Sequence, residues 1–102
     1  MNDNVHLNIN VSNAESGQGV EDVLLGVFDV LRGEHTQIAT RRDGAADLQL
    51  NRHGLYIVKP VSYPKGMFSL VCDYEIVYTE TGIYLVNEPI DKLNIFLLPA
   101  KE

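Results

Sequence analysis

Three histidines, a single cysteine and one close pair of carboxylates are the first places to look for chemistry in this sequence. His6, His35 and His53 lie far apart along the chain. No two of them stand at the H-x-H or H-x₃-H spacing that puts two imidazoles on one metal. No metal site is expected unless folding brings distant residues together. Cys72 sits in the apolar run Leu70–Val71–Cys72 and reads as a buried, inert thiol. Asp73 and Glu75 would share one face of an extended strand, where two carboxylates can work as an acid–base pair. A solvated strand face is the commoner use of that pattern. The chain has no G-x-S-x-G, no P-loop and no C-x-x-C. The residues therefore supply no catalytic set, no metal site and no cofactor motif.

The most suggestive polar feature is a ladder. His6, Asn8 and Asn10 alternate with Val5, Leu7, Ile9 and Val11, the period-two pattern of a strand with one buried face. Asn94 holds the equivalent polar phase in the last apolar stretch and would join the row if the first and last strands share a sheet. Such a row of amides can recognise a backbone or a polar ligand, or it can simply be the solvent side of the sheet. Tyr56, Tyr63, Tyr74, Tyr78 and Tyr84 offer amphipathic contacts, with core or sheet-face packing the expected use for most of them.

The elements that must hold these residues are strands almost throughout. Val5–Val11 is the first. Ser12–Gly19, rich in Ser, Asn and Gly, reads as a loop. Val23–Leu31 is apolar on both phases, so both its faces must be partly covered, and Gly26 within it marks a bulge or a close approach. Thr36–Thr40 follows, then the Asp43–Gly44 turn, the strongest hairpin signal in the chain. A short strand around Leu48 and Leu50, a turn at Asn51–Gly54 and a strand at Leu55–Val61 come next, with Pro60 confined to a strand end or an edge. Leu70–Tyr78, Ile83–Val86 and Leu93–Leu98 complete the set. Helical periodicity is weak everywhere, its one candidate lying near Met67–Tyr74. Strands at this spacing predict an all-β, seven- or eight-stranded sandwich of two sheets, a single domain over residues 1–102. The expected core contains Leu7, Ile9, Val11, Val27, Ile57 and Ile95.

Charge excludes some partners. With eight Lys and Arg against fourteen Asp and Glu, the chain carries a formal −6, which disfavours nucleic acid and anionic membranes. Residues 1–31 hold five acids and no Lys or Arg, residues 32–65 six bases against three acids, and residues 66–102 six acids against two bases. No apolar run reaches the roughly 20 residues of a membrane-spanning helix. Met1–Asn4 lacks the basic start of a secretory signal. That points to the cytoplasm for a full-length product and leaves an exported mature domain open.

Several stretches together resemble the transthyretin-like (prealbumin-like) sandwich families. They are the opening VHLNINVSNAESGQGVEDVLLGVFDV, Thr40–Gly44 at a T-x-x-D-G turn, Gly54–Val58 at a G-x-Y-x-V strand, and Leu97–Pro99 near the end. Carboxypeptidase regulatory-like and Cna B-type domains share that sandwich. Within these families 5-hydroxyisourate hydrolase uses a His, Arg, His set, and the resemblance puts those positions on Asn10, Ala45 and Lys92. An amide, a methyl and an ammonium cannot replace that set, and the family's Y-R-G-S tail is absent. An isopeptide-bonded Cna-type domain is disfavoured too, because the first strand has no Lys.

The sequence thus favours a non-catalytic binding or protein-interaction module, an adaptor in a larger assembly, with any small-molecule ligand unidentified. The alternative is a small hydrolase with a rearranged site, or a metal-handling protein. Unprotected strand edges suggest a homodimer or a protein partner, meeting at the first strand or at Leu70–Tyr78.

Overall fold

The computed structural model describes residues 4–69 and 71–100. Its centre is set by the strictly alternating first strand and the Leu-rich last one. Strand β1 (Asn4–Asn13) and the last strand, β10 (Lys92–Pro99), lie side by side and parallel, Asn8 to Asn13 opposite Lys92 to Leu97. Leu7, Ile9 and Val11 of β1 and Ile95 and Leu97 of β10 are fully buried, and Leu93 is nearly so. Each such side chain contributes roughly 1.5–3 kcal/mol by leaving water. On either side of this pair stand β4 (Ala45–Asn51), antiparallel to β1, and the short β6 (Met67–Ser69), antiparallel to β10.

A second sheet packs its inner face against the first. It runs β3 (Glu34–Ala39), β2 (Leu24–Asp29), β5 (Gly54–Ser62), β7 (Tyr74–Thr79), β8 (Gly82–Leu85) and β9 (Glu88–Pro89). Leu25, Val27, Tyr56, Val58, Ile76 and Tyr78 supply its side of the core. The described residues thus form an all-β sandwich of four and six strands with no helix.

Three polar devices fix how the chain passes between the sheets. Gly44, at φ 84°, ends the Asp43 turn where a Cβ would collide with the Val11 carbonyl. That closeness lets Val11 N–H donate to Gly44 O at 2.8 Å, tying the turn to β1. Buried Thr40 uses its hydroxyl twice, accepting from Val23 N–H at 2.9 Å and donating to Val20 O at 2.6 Å. Tyr56 reaches across the β4–β5 turn, where its hydroxyl accepts from Asn51 N–H at 2.7 Å.

Seven of the eight expected strands are present, within a residue or two at most ends, and the eighth only in part, as β7. β6 and β9, three and two residues long, are additional. Pro60 lies beyond the last β5–β7 pair, Val58 with Tyr74, where its missing N–H costs no ladder bond. Other expectations are corrected. Leu70–Tyr78 is not one strand: residues 71–73 cross from the first sheet to the second, and Leu70 lies outside the described residues. Cys72 is consequently exposed, not buried. The weak helical candidate at Met67–Tyr74 is strand and crossover. Ile57 is half-buried on the outer face, because Tyr56 and Val58 take the inner phase of β5. The bulge falls between Leu24 and Leu25, with Val61 the extra residue on β5, and not at Gly26. Finally, β1 and β7 are interior strands, each paired on both sides, so neither offers the free edge on which the expected contact rested.

Replacing Thr40 by Val keeps the shape but leaves Val23 N–H and Val20 C=O without that partner inside the fold. The expected loss is about 1–3 kcal/mol, read as a lower urea midpoint. An unchanged midpoint would mean that water reaches both groups.

Candidate interaction surface

β1 places its polar residues outward because Leu7, Ile9 and Val11 claim the inner phase. Its two neighbours then set what stands beside each one. Asn10 faces Asn94 across the parallel ladder, and Asn8 faces Lys92. On the other side His6 faces Gln49, Asn8 faces Asp47, and Asn10 faces Ala45. His6, Asn8, Asn10 and Asn94 therefore share the outer face of the four-stranded sheet, as the alternation predicts. Neighbouring strands sit about 4.8 Å apart, and successive outward residues roughly 6.6 Å apart along a strand. The result is a grid of amides, with Phe96, 55% exposed, beside Ser12 at its end.

The electrostatics of this grid are mild. Asn8 Nδ2 donates to Asp47 Oδ1 at a long 3.4 Å, and Arg41 Nη1 lies 3.5 Å from Asp47 Oδ2, both side chains more than half exposed. Lys92 adds one positive charge opposite Asn8. The positions that resemblance assigns to a hydrolase set, Asn10, Ala45 and Lys92, do come together on this face. They place an amide, a methyl and an amine where that set has His, Arg and His.

The other candidates scatter. His6 is on this face, His35 is on β3 stacked against Phe28 with ring centroids 4.4 Å apart, and His53 is in the β4–β5 turn, 3.8 Å from a Glu80 carboxylate oxygen. Among the described residues no group of three or more His, Cys, Asp and Glu could hold a metal ion. Asp73 is in the crossover and Glu75 in β7, both exposed. Tyr56 and Tyr78 are core residues, while Tyr63, Tyr74 and Tyr84 are half-buried. Burial raises the Tyr74 phenol above its ordinary value, so it stays neutral at physiological pH.

The sequence reasoning missed a second feature. The outer face of the six-stranded sheet carries an open groove of about 660 Å³ over β3, β2 and β5. Its signal lay in Val23–Leu31, whose apolar residues on both phases required cover on both faces, and in Gly26, which leaves the strand without a side chain at that point.

No family model and no curated protein matches this chain. Solved structures do share its fold. The C-terminal fragment of the pilus adhesin SpaC from Lactobacillus rhamnosus GG aligns at 15% identity over 99% of this chain and 47% of the fragment, with a TM-score of 0.71. The group B streptococcus pilus 2b backbone protein aligns at 10% identity over 94% of this chain and 41% of that one, TM-score 0.67. The C-terminal domain of the shaft pilin spaA from Lactobacillus rhamnosus GG aligns at 9% identity over 95% of this chain and 98% of that domain, TM-score 0.59. The chain spans less than half the length of the first two. At these identities the likeness establishes the β-sandwich; it does not extend to transthyretin-like membership.

Asn is a poor strand former, so the amide row is not what stabilises β1 and β10. Asn10→Thr and Asn94→Thr should each raise stability by a few tenths of a kcal/mol, on a strand scale spanning about 1 kcal/mol, measured by urea unfolding. A loss greater than that span for either would make the row structural.

Proposed function

We propose that this chain is a non-catalytic interaction module that stands in line within a longer, exported assembly protein. One observation carries the reading: β1 and β10 are parallel neighbours at the middle of a sheet. The chain comes in at Asn4 on one pole and leaves at Pro99 on the other, about 35 Å away along the strands at ~3.3 Å per residue. Principal extents of 50 × 24 × 23 Å give the elongated outline that end-to-end units need. Tension applied through the two ends would load the Asn8–Asn13 and Lys92–Leu97 ladder in shear, stretching its hydrogen bonds together and not one after another.

Shared architecture with domains of a pilus adhesin, a pilus backbone protein and a shaft pilin supports this use. It also favours an exported setting over the cytoplasmic one. Among the described residues no helix is long and apolar enough to cross a membrane. A Lys-to-Asn isopeptide cross-link of the first and last strands has no chemistry available here, since their inward residues are Leu7, Ile9, Val11, Leu93, Ile95 and Leu97. Hydrogen bonds and apolar packing must carry the load instead. A hydrolase reading draws no support from Asn10, Ala45 and Lys92. The amide grid of His6, Asn8, Asn10 and Asn94 is the face this reading offers to a neighbouring protein, and a homodimer through β1 is no part of it.

Force spectroscopy on tandem copies tests the arrangement. Pulling through the chain ends should give single-step rupture at a higher force than pulling between Asn4 and Asn51. Those two residues pair at the end of the antiparallel β1–β4 ladder, which therefore unzips one pair at a time. Equal forces in the two geometries would refute an in-line, load-bearing role.

A further inference from the structure

We infer that the groove on the six-stranded sheet is a docking site for an extended peptide of a partner protein, one large apolar side chain seated over Gly26. The inference rests on the interaction-module reading and names its partner. Gly26 is the starting point because the backbone does not require a glycine there. It lies in the middle of β2, paired with Gln37 on one side and Lys59 on the other, and is not among the residues with positive φ. A glycine in a central strand sacrifices packing and strand propensity. A Cβ at this point would press on the end of the Val61 side chain, Cγ2 at 3.0 Å, which would have to give by a few tenths of an ångström, and would meet the Lys59 carbonyl at 3.8 Å. By contrast, a Cβ on Gly44 would strike backbone.

The surroundings turn the missing side chain into a notch. Val61, the extra residue of the β-bulge and half exposed, stands over one side, as bulges commonly re-aim a side chain. Phe28, held flat by its stack on His35, and Ile57 form the other side. Lys59 and Asp73 line the same groove. Asp73 is the residue before the Val58–Tyr74 pair, which puts it on the Lys59 side of the sheet. Neither makes an ion pair with the described residues.

That charge arrangement selects the occupant. A fatty or aromatic carboxylate would gain Lys59 but meet Asp73, and a polyanion would oppose the net −6. A peptide with an acid on one side of its apolar residue and a base on the other satisfies both. Its main-chain amides can also exchange hydrogen bonds with the side chain of Gln37, the cross-strand partner of Gly26, at the groove wall.

The test is a titration of the isotope-labelled protein with capped pentapeptides, followed by NMR. Each carries a central Leu, Phe or Met between Asp and Lys, in both orders, with central-Ala peptides and benzyl alcohol as controls. Saturable shifts are expected at Gly26, Phe28, Lys59 and Val61, with the central-Ala peptides weaker by about tenfold or more. Gly26→Val fills the notch with a strand-forming side chain. It should weaken binding to a similar degree in a variant whose amide spectrum shows the sandwich still folded. If that variant fails to fold, Gly26→Ala serves, and Lys59→Gln or Asp73→Asn in the unaltered groove should cost roughly twofold to fivefold. The proposal is overturned if no peptide gives saturable shifts, or if Gly26→Val binds as well as the parent. Benzyl alcohol matching the peptides, or concentration-dependent shifts of the same residues in protein alone, would overturn it too. Each of these leaves the pulling experiment unaffected, so this site can fail while the in-line role stands.

Discussion

The parallel contact between β1 and β10 is the constraint on which the rest of the molecule depends. Parallel neighbours cannot be joined by a tight hairpin, so everything between residues 13 and 92 must leave the sheet and return. Most of that length folds as the second sheet. Only β4 and β6 come back to flank the central pair. The apolar phases of β1 and β10 then face a wall built by β2, β5 and β7, and the two layers exclude water from between them. With the wall in place the polar phases have nowhere to point but outward. The amide grid is a consequence of the same pairing that makes the core.

How much of this was legible depended on how unambiguous each alternation is. β1 alternates strictly, so its existence, inner phase and outer polar residues could all be read. In β10 Ile95 to Leu98 are apolar without a break, but Asn94 between Leu93 and Ile95 fixes the phase, and His6, Asn8, Asn10 and Asn94 do share a face. β5 could be found but not phased. Its residues Leu55 to Val58 are apolar without a break, and either pair could face inward. The Tyr56 hydroxyl decides the matter by bonding to Asn51 across the turn, a contact that hydropathy does not encode. The segment after Met67 was misread for a related reason. An apolar run can be a strand, or it can be chain crossing between two sheets, and here residues 71–73 do the second. Cys72 left the core with them. The groove was illegible because it arises from a bulge, a glycine and a neighbouring strand, which meet only in the folded register.

The core also limits what kind of function the fold can host. Among the described residues the only buried polar or charged ones are Asp29 and Thr40. Both are fully engaged in holding turns: Asp29 accepts from the Arg32 amide and pairs with its guanidinium, each at 3.1 Å. Neither is available to a substrate without loosening the loop it anchors. The sandwich also presents two outer faces, and these differ in kind. One carries the amide row on β1 and β10, strands paired on both sides, with the exposed rings of Phe96 and Phe68 beyond it. The other is grooved and partly apolar, with Phe28, Ile57 and Val61 incompletely covered. An amide grid loses little when left in water, whereas half-exposed aromatic and aliphatic side chains gain by being covered. Phe28, Ile57 and Val61 in the groove, and Phe96 and Phe68 beyond the amide row, are thus the parts of the two faces with a physical reason to be covered. The amides themselves need no cover, so a neighbouring protein met there would be held by hydrogen bonds set in the register of β1 and β10.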